Sequence, residues 1–129
     1  MTVSQAFAQL AEEKPHTYAQ STLLTWLNRC EQSLYYTLYA RYGCGLEPPE
    51  PYTESTLSSE LRAPDPYSHL YVSFLATEVD RCNGETARYN NSRALYAAEL
   101  AELGAHINRA FPPLTKNLAP LFPRLNGRL

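Results

Sequence analysis

The residues of this 129-residue chain most able to do chemistry are three histidines and three cysteines, and their spacing argues against most of it. A metal site needs imidazole, thiolate or carboxylate groups at short, characteristic spacings. His16, His69 and His106 stand far apart and show no ligand spacing. Cys30, Cys44 and Cys82 are odd in number and form no C-x-x-C pair, a poor disulfide framework and a poor zinc site. Cys30 and Cys82 are expected as small core residues. A thiol–imidazole pair from Cys82 with His69 or His106 would be nucleophilic, but nothing in the local sequence joins them. There is no phosphate-cradling glycine loop. Each histidine is expected at the surface or half-buried, and the chain is expected to be no enzyme and to use no metal or cofactor.

The remaining chemistry is that of binding. Nine of the eleven basic residues are arginine, and there are ten tyrosines. Arg81, Arg88, Arg93 and Arg109 recur along the last third of the body, where tyrosines could stack on bases. Glu78, Asp80, Glu85, Glu99 and Glu102 are interleaved with them, the pattern of a solvated face with intrahelical ion pairs. A net charge of −2 and a pI near 5.9 exclude a polybasic nucleic-acid coat. Tyrosine and arginine are enriched at interface hot spots, because each joins a large contact area to a polar handle. Arginine also pairs with carboxylates in two-pronged geometry. Ten tyrosines exceed what a core of this size buries with every hydroxyl paired. The plainer reading, expected to hold for about half of them, is that Tyr35, Tyr39, Tyr71 and Tyr96 line helix seams with their hydroxyls in water.

The elements that hold these residues are marked off by the ten prolines. Pro15 stands alone, five prolines fall between Pro48 and Pro66, and four between Pro112 and Pro123. Proline breaks helices, so the two long proline-free stretches read as helix. A first helix is expected from Val3 to about Glu13, with Thr2 and Gln5 as a capping box and Val3, Phe7 and Leu10 on one face. A second should run from Ser21 to Gly43 on a stripe of Leu23, Leu27, Cys30, Leu34 and Leu38. Asp65-Pro66 should open a third, with Asp65 as N-cap and Leu70, Phe74, Leu75 and Val79 buried. Asn83-Gly84 is the expected break before a fourth, with Asn90-Asn91 as the alternative. That fourth helix carries Tyr89, Tyr96, Leu100, Leu103 and Ile107 and should end before Pro112. The last two helices should form an antiparallel αα-hairpin.

Two segments lie outside this pattern. Residues 44–65 form a long proline-rich loop, acidic through Glu47, Glu50, Glu54 and Glu60, with a weak strand or turn signal at 55–62. A loop of that length is functional or ordered by a partner. Residues 112–129 form a second segment, an arm with Lys116, Arg124, Arg128 and no acid. It carries +3 and leaves −5 on the rest, yet is rich in leucine and phenylalanine, which a solvated disordered tail is not. The expected architecture is all-α: about four helices with a C-terminal αα-hairpin, a long proline-rich acidic loop and an extended C-terminal arm. The domain is 1–111, with the loop inserted at 44–65, followed by the arm at 112–129. Candidate partner-binding residues are Tyr52, Glu47, Glu50 and Glu54 on the loop and Lys116, Leu121, Phe122, Arg124 and Arg128 on the arm. Candidate inter-subunit residues are Arg88, Tyr89, Arg93 and Arg109. No secretion signal or membrane-length apolar run is seen, so a reducing cytoplasm is the expected compartment of synthesis.

An ordered set of short motifs adds a resemblance. It comprises Met1-Thr2-Val3, Trp26-Leu27-Asn28, Pro51-Tyr52, Leu61 to Tyr67 (LRAPDPY), the tyrosine-rich third helix and Asn83-Gly84-Glu85. Arg88-Tyr89-Asn90-Asn91-Ser92 and Ile107-Asn108-Arg109 closing on Pro112 complete it. In these the chain resembles small proteins encoded in the capsid-and-tail gene region of tailed bacteriophages and Firmicutes prophages. The resemblance implies a non-enzymatic helical virion part of the head–tail connector or head-completion type, assembled in the host cytoplasm. Such proteins form homo-oligomeric rings below the portal, usually of twelve copies, and extend the DNA channel, with DNA only as channel content. A mobile loop or arm docks on the portal protein and on the neighbouring neck or tail-completion protein. No membrane is involved. The alternative from a different class is a small helical regulatory or nucleic-acid-binding protein of a mobile element.

Overall fold

The structure is a computed structural model and describes residues 1–111; the arm at 112–129, with Lys116, Leu121, Phe122, Arg124 and Arg128, lies outside the described residues. Four helices make an all-α fold: α1 (Val3–Glu13), α2 (Gln20–Thr37), α3 (His69–Asn83) and α4 (Thr86–Ala110). Thr2 caps α1 through a complete capping box with Gln5, and Val3, Ala6 and Leu10 form its buried face. α3 lies at the centre, packed against each of the other three. Nine of its fifteen residues are buried, which makes it the axis of the core rather than an amphipathic wall. Tyr71 and Val72 join the expected Leu70, Leu75 and Val79 in the interior, while Phe74 is half-buried and meets Tyr96 edge-on.

α3 and α4 form the expected hairpin. Gly84 ends α3 in the left-handed conformation (φ 71°), and its amide donates to the Arg81 and Asp80 carbonyls. Asn90-Asn91 lies inside α4, so the helix break falls at the glycine. α4 is long, about 37 Å at 1.5 Å per residue, yet only Leu103 and Ile107 are fully buried.

Three expectations are corrected. First, α2 stops at Thr37 instead of reaching Gly43, because Leu38 leaves the helical region (φ −121°, ψ −65°). The chain tightens into a 3₁₀ turn, Tyr39–Arg41, and Tyr39 enters the core. Second, Asp65-Pro66 does not open α3. It belongs to a turn in which Tyr67 N–H donates to the Pro64 carbonyl, and α3 begins three residues on, after Ser68. Third, Cys82 is exposed, because the C-terminal turn of α3 extends past the packed core; Cys30 is buried as expected.

The loop does not await a partner for all of its order. Its distal half lies along the N-terminus: Val3 and Ser4 amides donate to the Ser59 and Leu57 carbonyls, and the Leu61 amide donates to the Met1 carbonyl. An isolated antiparallel bridge joins Thr2 to Glu60, and a 3₁₀ turn spans Glu54–Thr56; of the strand or turn signalled over 55–62 the chain forms turns and this one bridge.

Candidate functional site

The centre of the molecule is organised by a carboxylate. Glu31 lies on α2 between Leu27 and Leu34 and is 2% exposed. The Tyr71 hydroxyl of α3 donates to one oxygen at 2.6 Å; the Tyr52 hydroxyl and the Arg62 amide donate to the other at 2.7 and 3.3 Å. Burial and then the Glu31 charge hold both phenols well above the ordinary tyrosine range, so each remains a proton donor. Tyr71 Oη also accepts the Ala63 amide at 2.9 Å. Three hydrogen bonds therefore link α2, α3 and two points of the loop, its middle at Tyr52 and its distal part at Arg62, at one buried anion.

Asn28, one turn before Glu31, grips the loop a second time. Its side-chain carbonyl accepts the Tyr52 amide at 2.8 Å, and its amide donates to the Tyr52 carbonyl at 3.0 Å. Asn28 thus satisfies the backbone of Tyr52 as a neighbouring strand would. Tyr52, half-buried, is in this way anchored on α2. Glu47, Glu50 and Glu54 are exposed, with no ion pair among the described residues. They form an acidic arch on a segment tethered at both ends.

On the hairpin the four inter-subunit candidates separate. Arg88 is exposed and pairs with Glu85 at 2.9 Å, and Arg81 pairs with Glu78 at 2.7 Å, as expected of intrahelical pairs. Tyr89 is half-buried beside the α3–α4 turn, where it lines a pocket of about 150 Å³ with Asp80, Gly84 and Thr86. Arg93 and Arg109 are exposed and carry no ion pair among the described residues. They are the free cations of α4.

A cleft of about 250 Å³ opens where the base of the loop meets the last turn of α4. It is lined by His106, Ile107 and Phe111 from the end of α4 and by Tyr39, Cys44, Leu46 and Arg62 from the 3₁₀ turn and the loop. The Tyr39 hydroxyl and Arg62 Nη1 are enclosed yet have no hydrogen-bond partner among the described residues. Tyr39 is shared with a second, tyrosine-lined hollow beside Tyr35 and Tyr42. Three of the four large apolar side chains that stand exposed, Tyr36, Leu46 and Phe111, belong to α2, to the loop base and to the C-terminal end of α4.

Sequence reasoning missed Glu31, Asn28 and Arg62. The available signal for Glu31 was its position, four residues after Leu27 and three before Leu34, on the face of the apolar stripe. It also missed His69, which lies between two carboxylates: Nδ1 is 2.7 Å from Glu99 of α4 and Nε2 is 3.0 Å from Glu13 of α1. All three histidines are half-buried, as expected. Among the described residues no group of three or more metal-ligating side chains converges, and no helix is long and apolar enough to cross a membrane. Comparison with protein-family models, with curated proteins and with solved structures finds no match to this chain.

Proposed function

We propose that this protein is a structural virion component, a ring-forming adaptor at the head–tail junction of a tailed phage. In this reading it docks on the portal protein on one side and on the neighbouring neck or tail ring on the other. The observation that carries it is a charge division on the helical body. Glu47, Glu50 and Glu54 stand exposed on the arch, while Arg93 and Arg109 stand exposed on α4, none of them in an ion pair among the described residues. Fixed charges of opposite sign on separate elements favour head-to-tail association, which closes into rings when the rotation between copies allows. The resemblance of its ordered short motifs to head-completion proteins supports the same reading. The chemistry is that of recognition: arginine and carboxylate set register, and exposed tyrosine, leucine and phenylalanine supply apolar contact.

The test is negative-stain electron microscopy of the purified chain, alone and mixed with portal protein, beside a salt titration of duplex DNA binding. The adaptor reading expects rings on the portal and a weak DNA affinity with a shallow salt slope. A steep slope, near one unit per phosphate contact, with no assembly on portal would replace it with the nucleic-acid-binding alternative.

A further inference from the structure

The cleft at the loop base contains a feature that packing alone does not account for. Tyr39 is 7% exposed, and its hydroxyl has no hydrogen-bond partner among the described residues. Nη1 of Arg62 is likewise enclosed and unpartnered, although the Arg62 backbone amide is engaged by Glu31. Leaving a buried polar group without a partner costs about 1–3 kcal/mol, more for a charged group. Folded proteins rarely keep two such groups together unless something else supplies the missing partner. Here both groups can donate, and one of them is cationic. The acceptor that satisfies a guanidinium and a phenol together is a carboxylate. The rest of the lining is mostly apolar, from Leu46, Ile107 and Phe111. Leu46 and Phe111 are 42% and 36% exposed, so the side chains at the mouth can turn to admit a ligand.

We infer that this cleft is a binding site for a small apolar carboxylate, its acid group on Arg62 and Tyr39 and its hydrocarbon body against Leu46, Ile107 and Phe111. The cleft volume of about 250 Å³ matches a compact ligand rather than a folded partner. The chain's own segment at 112–129 contains no acidic side chain, so none of its side chains supplies the carboxylate, and the crosslinking below tests its backbone and terminal groups. The inference is independent of the adaptor reading and stands or falls separately from it.

Cys44 lines the cleft and Cys82 lies exposed at the end of α3, so one thiol reports on the site while the other serves as the internal control. The full chain is titrated with 4-phenylbutyrate, 4-phenylbutanol and 4-phenylbutylamine by calorimetry. Alkylation of Cys44 and Cys82 is followed in parallel by peptide mass mapping. Burial raises the Cys44 thiol above its ordinary range, so labelling is run at alkaline pH. The acid should bind about tenfold or more tighter than the alcohol, the margin of a charge-assisted contact over a neutral one, and the amine should bind worst. The acid should slow Cys44 alkylation severalfold and leave Cys82 unchanged. Arg62→Gln should remove the preference for the acid. Tyr39→Phe, which keeps the packing if Arg62→Gln fails to fold, should weaken the acid several-fold and leave the alcohol unaffected. Equal binding of acid and alcohol would overturn the inference, as would failure of the acid to protect Cys44. So would a Cys44 already protected in the unliganded chain and crosslinking to residues 112–129, which would assign the cleft to the chain's own arm.

Discussion

Two buried tyrosines one helix apart show how differently the same hydroxyl can act. Tyr71 Oη donates to Glu31 and accepts the Ala63 amide; Tyr39 Oη does neither. Tyr71→Phe therefore strands both a carboxylate oxygen and an amide, and should cost about 1–3 kcal/mol in urea denaturation. Tyr39→Phe removes a group that has no partner, and should be neutral or stabilising by up to about 1 kcal/mol. Glu31→Leu, which leaves three donors facing an alkyl group, should be the most damaging of the three, by about 3 kcal/mol or more. Equal costs for the two phenylalanine variants would contradict the assigned network. None of this was legible in the sequence. A glutamate three residues from a leucine stripe reads as a flank residue until the loop supplies Tyr52 and Arg62 from far along the chain. The expectation that Tyr71 keeps its hydroxyl in water is overturned for the same reason.

At the scale of elements, the helices are bound to one another by polar contacts as well as by apolar faces. Lys14, just past α1, grips the buried Asp80 of α3 with Nζ 2.8 and 2.9 Å from its two oxygens, and Ser92 of α4 reaches the same carboxylate. His69 of α3 ties Glu13 of α1 to Glu99 of α4. Burial lowers its pKa, but the hydrogen bonds and charges of Glu13 and Glu99 outweigh that and leave it above the usual value of 6.5. A raised folded-state pKa gives stability that is fully present below the unfolded value and lost as pH rises through the folded one. Chemical denaturation should therefore show stability falling as pH rises upward from about 6.5, and His69→Gln should flatten that slope. Because the imidazole is about a third exposed, the effect should be modest and weaken with salt.

Two glycines make a second prediction at this scale. Gly84 has φ 71°, so Gly84→Ala should cost about 1 kcal/mol through backbone strain alone, since nothing lies within 4 Å of the added Cβ. Gly104 lies within α4, and its added Cβ would meet Leu38 Cδ2 at an ordinary 3.6 Å. Gly104→Ala should stabilise by about 0.5–1 kcal/mol through helix propensity. Thermal melts of the pair should move in opposite directions. The left-handed cap was readable in advance from Asn83-Gly84. The early end of α2 was not, because Thr37 and Leu38 carry no breaker and the turn is set by Tyr39 entering the core.

For the molecule as a whole, the question is how stiffly the loop is held. Asn28 and Glu31, neighbours on α2, fasten Tyr52, and the α1 N-terminus fastens residues 57–61. Asn28→Ala deletes both bonds to the Tyr52 backbone. It should cost about 1–2 kcal/mol and make residues 44–56 the first site of limited proteolysis, with helical circular dichroism unchanged. Unchanged cleavage would mean that the loop is held by the N-terminal contacts alone. The acidic arch then behaves as a fixed outcrop of the body rather than a free strand, and any partner that meets it spends less on ordering it.

By itself the sequence determined the all-α class, the number of helices among the described residues, the α3–α4 hairpin with its break at Asn83-Gly84, and the Thr2 capping box. These depend on neighbours within a few residues, through periodicity, capping and the missing proline amide. Tertiary structure alone decided where α2 stops, which tyrosines are internal and that Tyr52 is anchored on α2. It also placed Glu31, Lys14–Asp80 and His69 at the junctions of elements and left Tyr39 and Arg62 unpartnered in a cleft. Each of those facts is a pairing between groups distant in sequence, and burial, which gives such pairs their energy, exists only once the helices have closed on one another.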